Sequence, residues 1–311
     1  MPNPTITASS YAGEFAGKYI AASLLTAKTL DDAAITILPN VKFKAAMKVG
    51  AFSNLVRSAD CDFDSTTSGL TLTEKVITPT ELQVNLQICK KELHADWEAA
   101  QMGFSAFDSL PPLFSDFVIA RVAAEVASAT ETSIWDGAAG EGNFDGFRAL
   151  ALADGTVNDV TGADAGAVTA SNVVEKLGNI VDAIPSGVYG ADDLYIYLSQ
   201  NMFKAYVRAL GGFGANGLGA AGVNNQGTNF YNGGELMFDG VKLYPSSGFR
   251  DNCAIAARAS NLYFGTGLLN DRNEVKVIDM SDIDGSQNVR VVMRYTAGVQ
   301  IGVGADVVLY D

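Results

Sequence analysis

The chain has 311 residues, room for one large domain or two modest ones. Twenty-one Lys and Arg against 35 Asp and Glu leave a formal charge of −14, which excludes a general electrostatic grip on nucleic acid. Hydrophobic residues make up 48% and charged residues only 18%, against about 25% charged in typical soluble domains. That composition excludes wholesale disorder and predicts that much of the surface is covered by partners.

Cys61, Cys89 and Cys253 are odd in number and far apart, with no CxxC pair. This argues against a disulfide framework or a thiolate zinc site and fits folding in reducing surroundings. The opening MPNPTITASSYAGEF lacks the basic and apolar regions of a signal peptide, and no apolar run approaches the ~18 residues of a membrane span. A soluble protein made inside the cell, without membrane contact, is expected.

From Ser9 to Ala27, Tyr11, Phe15, Tyr19, Ile20, Leu24 and Ala27 recur at three- and four-residue steps, which predicts an amphipathic helix capped by Ser9-Ser10. Val41, Phe43, Ala45, Met47 and Val49 then alternate with Lys42, Lys44, Ala46 and Lys48, a strand with three lysines on one face. A second one-sided strand follows, in which Leu82, Val84, Leu86 and Ile88 alternate with Gln83, Asn85 and Gln87. Between them runs SADCDFDSTTSGLTLTEK, with Asp60, Asp62 and Asp64 near its tip. The expectation is a projecting antiparallel hairpin over 41–92. A two-stranded ribbon is marginal in water, so it should lie on a neighbour.

After Pro111-Pro112 the residues Phe114, Val118, Val122 and Val126 fall four apart, predicting one face of a long helix that ends before Gly137. Residues 138–170 carry little pattern beyond turns and short strands. Val173, Val174, Leu177, Ile180, Val181 and Ile184 predict a second helix ended by Pro185, followed by a buried strand from Asp193 and a helix capped by Ser199. Residues 211–234 are a glycine-rich loop too long for an ordinary connection. The rest is β-rich, with Val289, Val291, Met293 and Tyr295 facing in and Arg290 and Arg294 facing out.

Chemical motifs are weak. Gly212, Gly214 and Gly217 match a dinucleotide-binding string, but a helix precedes it where a strand is required, so a mobile loop is the better reading. His94 is the single histidine and has no partners that would make a triad or metal site. Asp282, Asp284 and Gly285 open like a calcium loop, yet Met293 stands where its last ligand belongs, leaving a turn. No catalytic residue, metal site or cofactor is expected.

The order of arm, hairpin, long helix, α/β insertion with a glycine loop, and closing β region resembles tailed-bacteriophage major capsid proteins of the Hong Kong 97 type. The resemblance rests on that order and on three phrases: TSIWDGAAGEGNFDGF (Thr132 to Phe147), SNLYFGTGLL (Ser260 to Leu269), and VVMRYTAGVQIGVGADVVLY. It implies an α+β fold with an N-terminal arm at 1–40, an extended loop at 41–92, and a peripheral domain at 93–170 whose spine helix is 111–136. It also implies an axial domain at 171–270 with its loop at 211–234, and strands from 271 to 311 returning to the peripheral domain.

By the same resemblance, many copies form pentamers and hexamers of an icosahedral shell around double-stranded DNA, held without sequence-specific contacts. Assembly takes place in the host cytoplasm and the product is the virion capsid. Scaffolding, portal and decoration proteins are implied partners. Met1 stands about 40 residues before the hairpin, which implies a separate scaffolding protein or a precursor segment not included in this sequence. Lys42, Lys44, Lys48, Asp60, Asp62, Asp64, Gly212, Gly214 and Gly217 are the candidate assembly residues. An acidic chain also suits a container better than a DNA clamp. Two other readings are a bacterial encapsulin-type compartment and, from another class, a β-rich enzyme using carboxylates.

Overall fold

A computed structural model of the chain describes residues 28–32, 34–41, 43–52, 56, 58, 61, 70–89, 112–140, 142–160, 166–210, 236–267 and 276–311. The one-turn helix α1 (Lys28–Asp31) leads to β1 (Thr36–Leu38), β2 (Ala45–Phe52), β3 (Leu70–Ile77) and β4 (Thr80–Cys89). The helices α2 (Pro112–Asp136) and α3 (Phe147–Ala153) follow, then β5 (Asn158–Asp159), α4 (Val173–Asp182), β6 (Leu194–Ser199) and α5 (Gln200–Leu210). The remainder comprises β7 (Met237–Phe238), β8 (Val241–Ser246), β9 (Ala254–Arg258), β10 (Leu262–Thr266) and β11 (Lys276–Asp279). It closes with α6 (Ser281–Asp284), β12 (Asn288–Ile301) and β13 (Val308–Tyr310).

A six-stranded sheet, in the order β5-β13-β9-β6-β8-β7, forms a wall with a core on each side. Strand alternation sorts its residues. Tyr197, Ile255, Ala257 and Leu309 face one core, while Ile196, Leu198, Ala254, Ala256, Val308 and Tyr310 face the other. This explains why β6, β9 and β13 read as unbroken apolar runs. On the second side Leu177, Ile180 and Val181 of α4 and Met202, Ala205 and Tyr206 of α5 cover the sheet. Val174, placed by its spacing on the apolar side of α4, is instead 49% exposed.

The first core is shared with a second sheet, in which β12 pairs with β4 on one side and with β11 and β10 on the other, and β1 adds to β10. Val291, Met293 and Tyr295 meet Val122, Val126 and Trp135 of the long helix in that core. Val289 is also buried, whereas Arg290 and Arg294 are exposed, as the alternation predicts. Phe114 and Val118 lie in the part of α2 whose side chains are outside the described residues. Trp135 has no exposure and packs its ring 4.6 Å from Phe249, 4.9 Å from Tyr197 and 5.3 Å from Phe147. The helix turns at Gly137, where a Cβ would collide with the backbone of Ser133 and Phe144, so the chain can double back into α3.

Four expectations change. The strand after Val41 starts only at Ala45, and it pairs with β3 rather than with the 82–88 strand. β3 came from the stretch taken as polar connection. The predicted second ribbon strand is β4, held over its ten residues by β12. The expected return of 271–311 to one domain is also split: β11 and β12 lie in the β4 sheet, but β13 pairs with β9 in the six-stranded wall. β10, from the 171–270 segment, lies beside β12. Finally, the Ser199 hydroxyl does not cap α5; it donates to Asn201 Oδ1 at 2.6 Å, which accepts the Met202 N–H at 2.8 Å. The Asp282–Gly285 stretch is α6 plus a left-handed Gly285 (φ 70°), a turn into β12.

Replacing Val122 with Asp should abolish cooperative folding, because an unpaired charge in that core costs about 3 kcal/mol or more. Trp135→Ala should cost about 3–5 kcal/mol. Val174→Thr should stay within about 0.5 kcal/mol. Urea unfolding followed by circular dichroism checks all three, and a large loss at Val174 would contradict the packing of α4.

Candidate assembly surface

The β2–β3 hairpin has a buried root and a bare outer part. At the root, Ile77 has no exposure and Val41 7%, and both lie against Gly265, where a Cβ would come within 2.8 Å of Ile77 Cγ2. The Val41 N–H donates to the Thr266 carbonyl at 3.0 Å, and Gln300 Nε2 donates to the Val76 carbonyl at 2.9 Å. The hairpin is thereby clamped onto β10 and β12.

Register then assigns the faces, since directly opposed residues of an antiparallel pair share one face. Ala45, Met47 and Val49 lie opposite Ile77, Lys75 and Thr73; Ala46, Lys48 and Gly50 lie opposite Val76, Glu74 and Leu72. Lys48 therefore faces an opposite charge across the strands, and Lys44 stands just ahead of β2; both are exposed. Phe43 is 84% exposed, Leu72 64% and Val56 96%. Leu72 is on β3, Phe43 stands beside the root just ahead of β2, and Val56 follows β2; large apolar side chains this exposed suit covering by a partner.

One side chain props the ribbon from the side. Lys75 Nζ donates to Asp154 Oδ2 at 2.7 Å, while the other carboxylate oxygen accepts the Thr156 N–H at 3.0 Å and its hydroxyl at 2.7 Å. The Lys75 bond, with those from Thr156, holds the Asp154 carboxyl down at about 2. Because the Lys75 side chain is 37% exposed, the pair contributes at most about 1 kcal/mol.

A different carboxylate sits at the junction of the two cores. Glu131 of α2 is fully buried and accepts from the Thr29 hydroxyl at 2.5 Å, the Thr29 N–H at 3.3 Å and the Ser246 hydroxyl at 3.0 Å. Trp135 Nε1 donates to the same Thr29 hydroxyl at 2.8 Å. Burial pushes the Glu131 carboxyl up, and these bonds pull it partly back. Glu131 ties α1, α2 and β8 together, and its closed surroundings make it a fastener, with no approach for a substrate. A separate 370 Å³ depression is lined by Tyr189, Asp192, Met237, Asp239 and Lys242 at the β7–β8 end of the wall.

Of the candidate residues read from sequence, Lys44 and Lys48 are on the ribbon surface. Lys42, Asp60, Asp62, Asp64, Gly212, Gly214, Gly217 and His94 lie outside the described residues, as does the predicted helix of 9–27. Glu74 and Lys75 fall in TLTEK, the end of the expected polar connection, and so are not among the candidates. The threonines of TLTEKVI and its alternating Leu72 and Val76 are the strand signal that was available.

No family model matches the chain, and no curated protein matches it in sequence. Solved structures do match. The capsid of a native GTA particle is 16% identical, with 98% of this chain and 95% of that chain covered at a TM-score of 0.60. The capsid of the Myoviridae phage XM1 is 12% identical, with 94% of each chain covered at 0.58. A satellite phage P4 procapsid that includes a size determination (Sid) protein is 9% identical, with 91% and 96% covered at 0.54. The chain has the fold of these capsid proteins over nearly its whole length.

The Lys75–Asp154 pair has a pH signature. Its acid partner is depressed on folding, so its contribution is complete above about pH 4 and lost as the pH falls through about 2. Asp154→Asn should therefore lower stability by up to about 1 kcal/mol at pH 5 and by almost nothing at pH 2. Urea midpoints of both proteins at the two pH values measure this; equal gaps would contradict it.

Proposed function

We propose that this chain is a major capsid protein of the Hong Kong 97 type, which closes on copies of itself as an icosahedral shell around double-stranded DNA of a tailed phage. The observation that carries the reading is the clamped hairpin with uncovered Phe43, Val56 and Leu72, in a chain whose fold is that of capsid proteins. A ribbon fixed at its root, with Phe43 uncovered beside the root and Leu72 and Val56 uncovered farther out, gains free energy by lying on a second copy. The expected arm of 1–40 does not extend to residue 40, since Leu30, Ala34 and Ile35 are buried in the core and β1 pairs with β10; the β2–β3 hairpin acts as the extended loop. The β4–β12 sheet with α2 is the peripheral domain, and the wall with α4 and α5 is the axial domain.

The chain works by contact rather than by catalysis. Lys44 and Lys48 meet acidic surface on the neighbouring copy, each pair contributing roughly 0–1 kcal/mol, so apolar burial drives association and charge selects register. A formal charge of −14 keeps the inner wall from gripping packaged DNA. Pentamers and hexamers use the same contacts at different angles.

Electron microscopy of the purified protein tests this directly: closed particles or capsomers are expected, with nuclease-protected DNA in those recovered from infected cells. Protein cargo in place of DNA would move the reading to an encapsulin-type compartment, and a monodisperse monomer at all salt and protein concentrations would end it. Phe43→Ser with Leu72→Ser should leave unfolding within about 0.5 kcal/mol of the parent, because both side chains are exposed. The same change should raise the concentration needed for assembly at least tenfold, read by light scattering.

A further inference from the structure

We infer that the Lys75–Asp154 contact is an angle-setting strut: with the buried hairpin root as pivot, it fixes the direction in which β2–β3 leaves the domain. The consequence for shell curvature rests on the function proposed above; the strut itself does not.

Two attachments define the direction of a rigid ribbon, and the hairpin has two. The pivot is Val41, Val76 and Ile77 against β10 and β12. Beyond that pivot the Lys75 side chain bonds outside the hairpin, while the Thr73 hydroxyl bonds Val49 within it. Lys75 lies two residues out from Ile77 and Leu70 seven, about 7 Å and 24 Å along the strand. A 2 Å change at Lys75 therefore becomes roughly 7 Å at Leu70, by that ratio of lengths.

The two ends of the strut differ in stiffness. Asp154 is held by Thr156, and its N–H bonds the Leu150 carbonyl at 3.0 Å as the cap of α3. The other end of α3 is held by Arg148, which donates to both carboxylate oxygens of Asp311 at 2.8 and 2.6 Å and to Asp136 at 3.3 Å. The carboxylate is thus a fixed post and the lysine stem a flexible tie. A partly exposed ion pair is also weak and screened by salt, so it can open at little cost. One chain then has two hairpin directions, one with the strut closed and one with it open, which is what identical subunits need at non-identical positions.

The test uses the full chain as unassembled subunits, spin-labelled at Lys48→Cys and Arg294→Cys with Cys61→Ser and Cys89→Ser, and reads the distance between labels. The parent should give one narrow distance at low salt. Lys75→Met and Asp154→Asn should each broaden it or shift it by several ångström, and 1 M salt should do the same to the parent. Unchanged distributions in both variants would overturn the strut. Unlabelled Lys75→Met should assemble into particles of altered or mixed diameter. Particles of the parent diameter, from subunits whose distance has shifted, would overturn the link to curvature. A parent that never closes into particles would overturn the shell, leaving the distance measurement to judge the strut.

Discussion

β12 is the element on which the five-stranded sheet and the core beneath α2 hang. Its fourteen residues pair with ten of β4 on one side and with β11 and β10 in succession on the other. Its inward row fills the core beneath α2, and Gln300 near its end clamps the hairpin. A strand this long can serve three partners only if alternation holds without slippage, because a one-residue shift would turn Val291 and Met293 to water and Arg290 inward. Its buried apolar row is what holds that register.

The wall between the cores solves a related problem. Each of its central strands is buried on both faces, so no polar side can be spared for solvent, and the two cores are joined through side chains that project in opposite directions from one backbone. Glu131 completes the joint. Its carboxylate gathers α1, α2 and β8, and the desolvation that raises its pKa is tolerated because the Thr29 N–H and the Thr29 and Ser246 hydroxyls donate to it. The subunit is firm where its own contacts suffice.

The hairpin is the opposite case. It carries large apolar groups with no cover from its own domain, and one half-exposed ion pair to steer it. Such a ribbon gains little by itself, and its value rises when many identical copies each offer the same surface. Weak contacts repeated over many copies are what the shell proposed above would need, since no single interface in it has to be strong.

Much of this was readable from residue order. The 3.6-residue spacing through Val122 and Val126, the stop at Gly137, the apolar face of α4 apart from Val174, and the alternation of β12 all follow from local periodicity and turn chemistry, which need no partner to be recognised. Lys44 and Lys48 are exposed, Lys44 ahead of β2 and Lys48 within it. Strand partners were not readable. The 45–52 strand could pair with 70–77 or with 82–88 on pattern alone, and only the long apolar row of β12 draws the latter away. Likewise β13, a continuation of the β12 region in sequence, crosses into the other sheet because Val308 and Tyr310 complete that core. Periodicity belongs to a segment, but strand pairing depends on other segments, and Glu131 is buried against Thr29 and Ser246, more than a hundred positions away, which only the folded chain brings together.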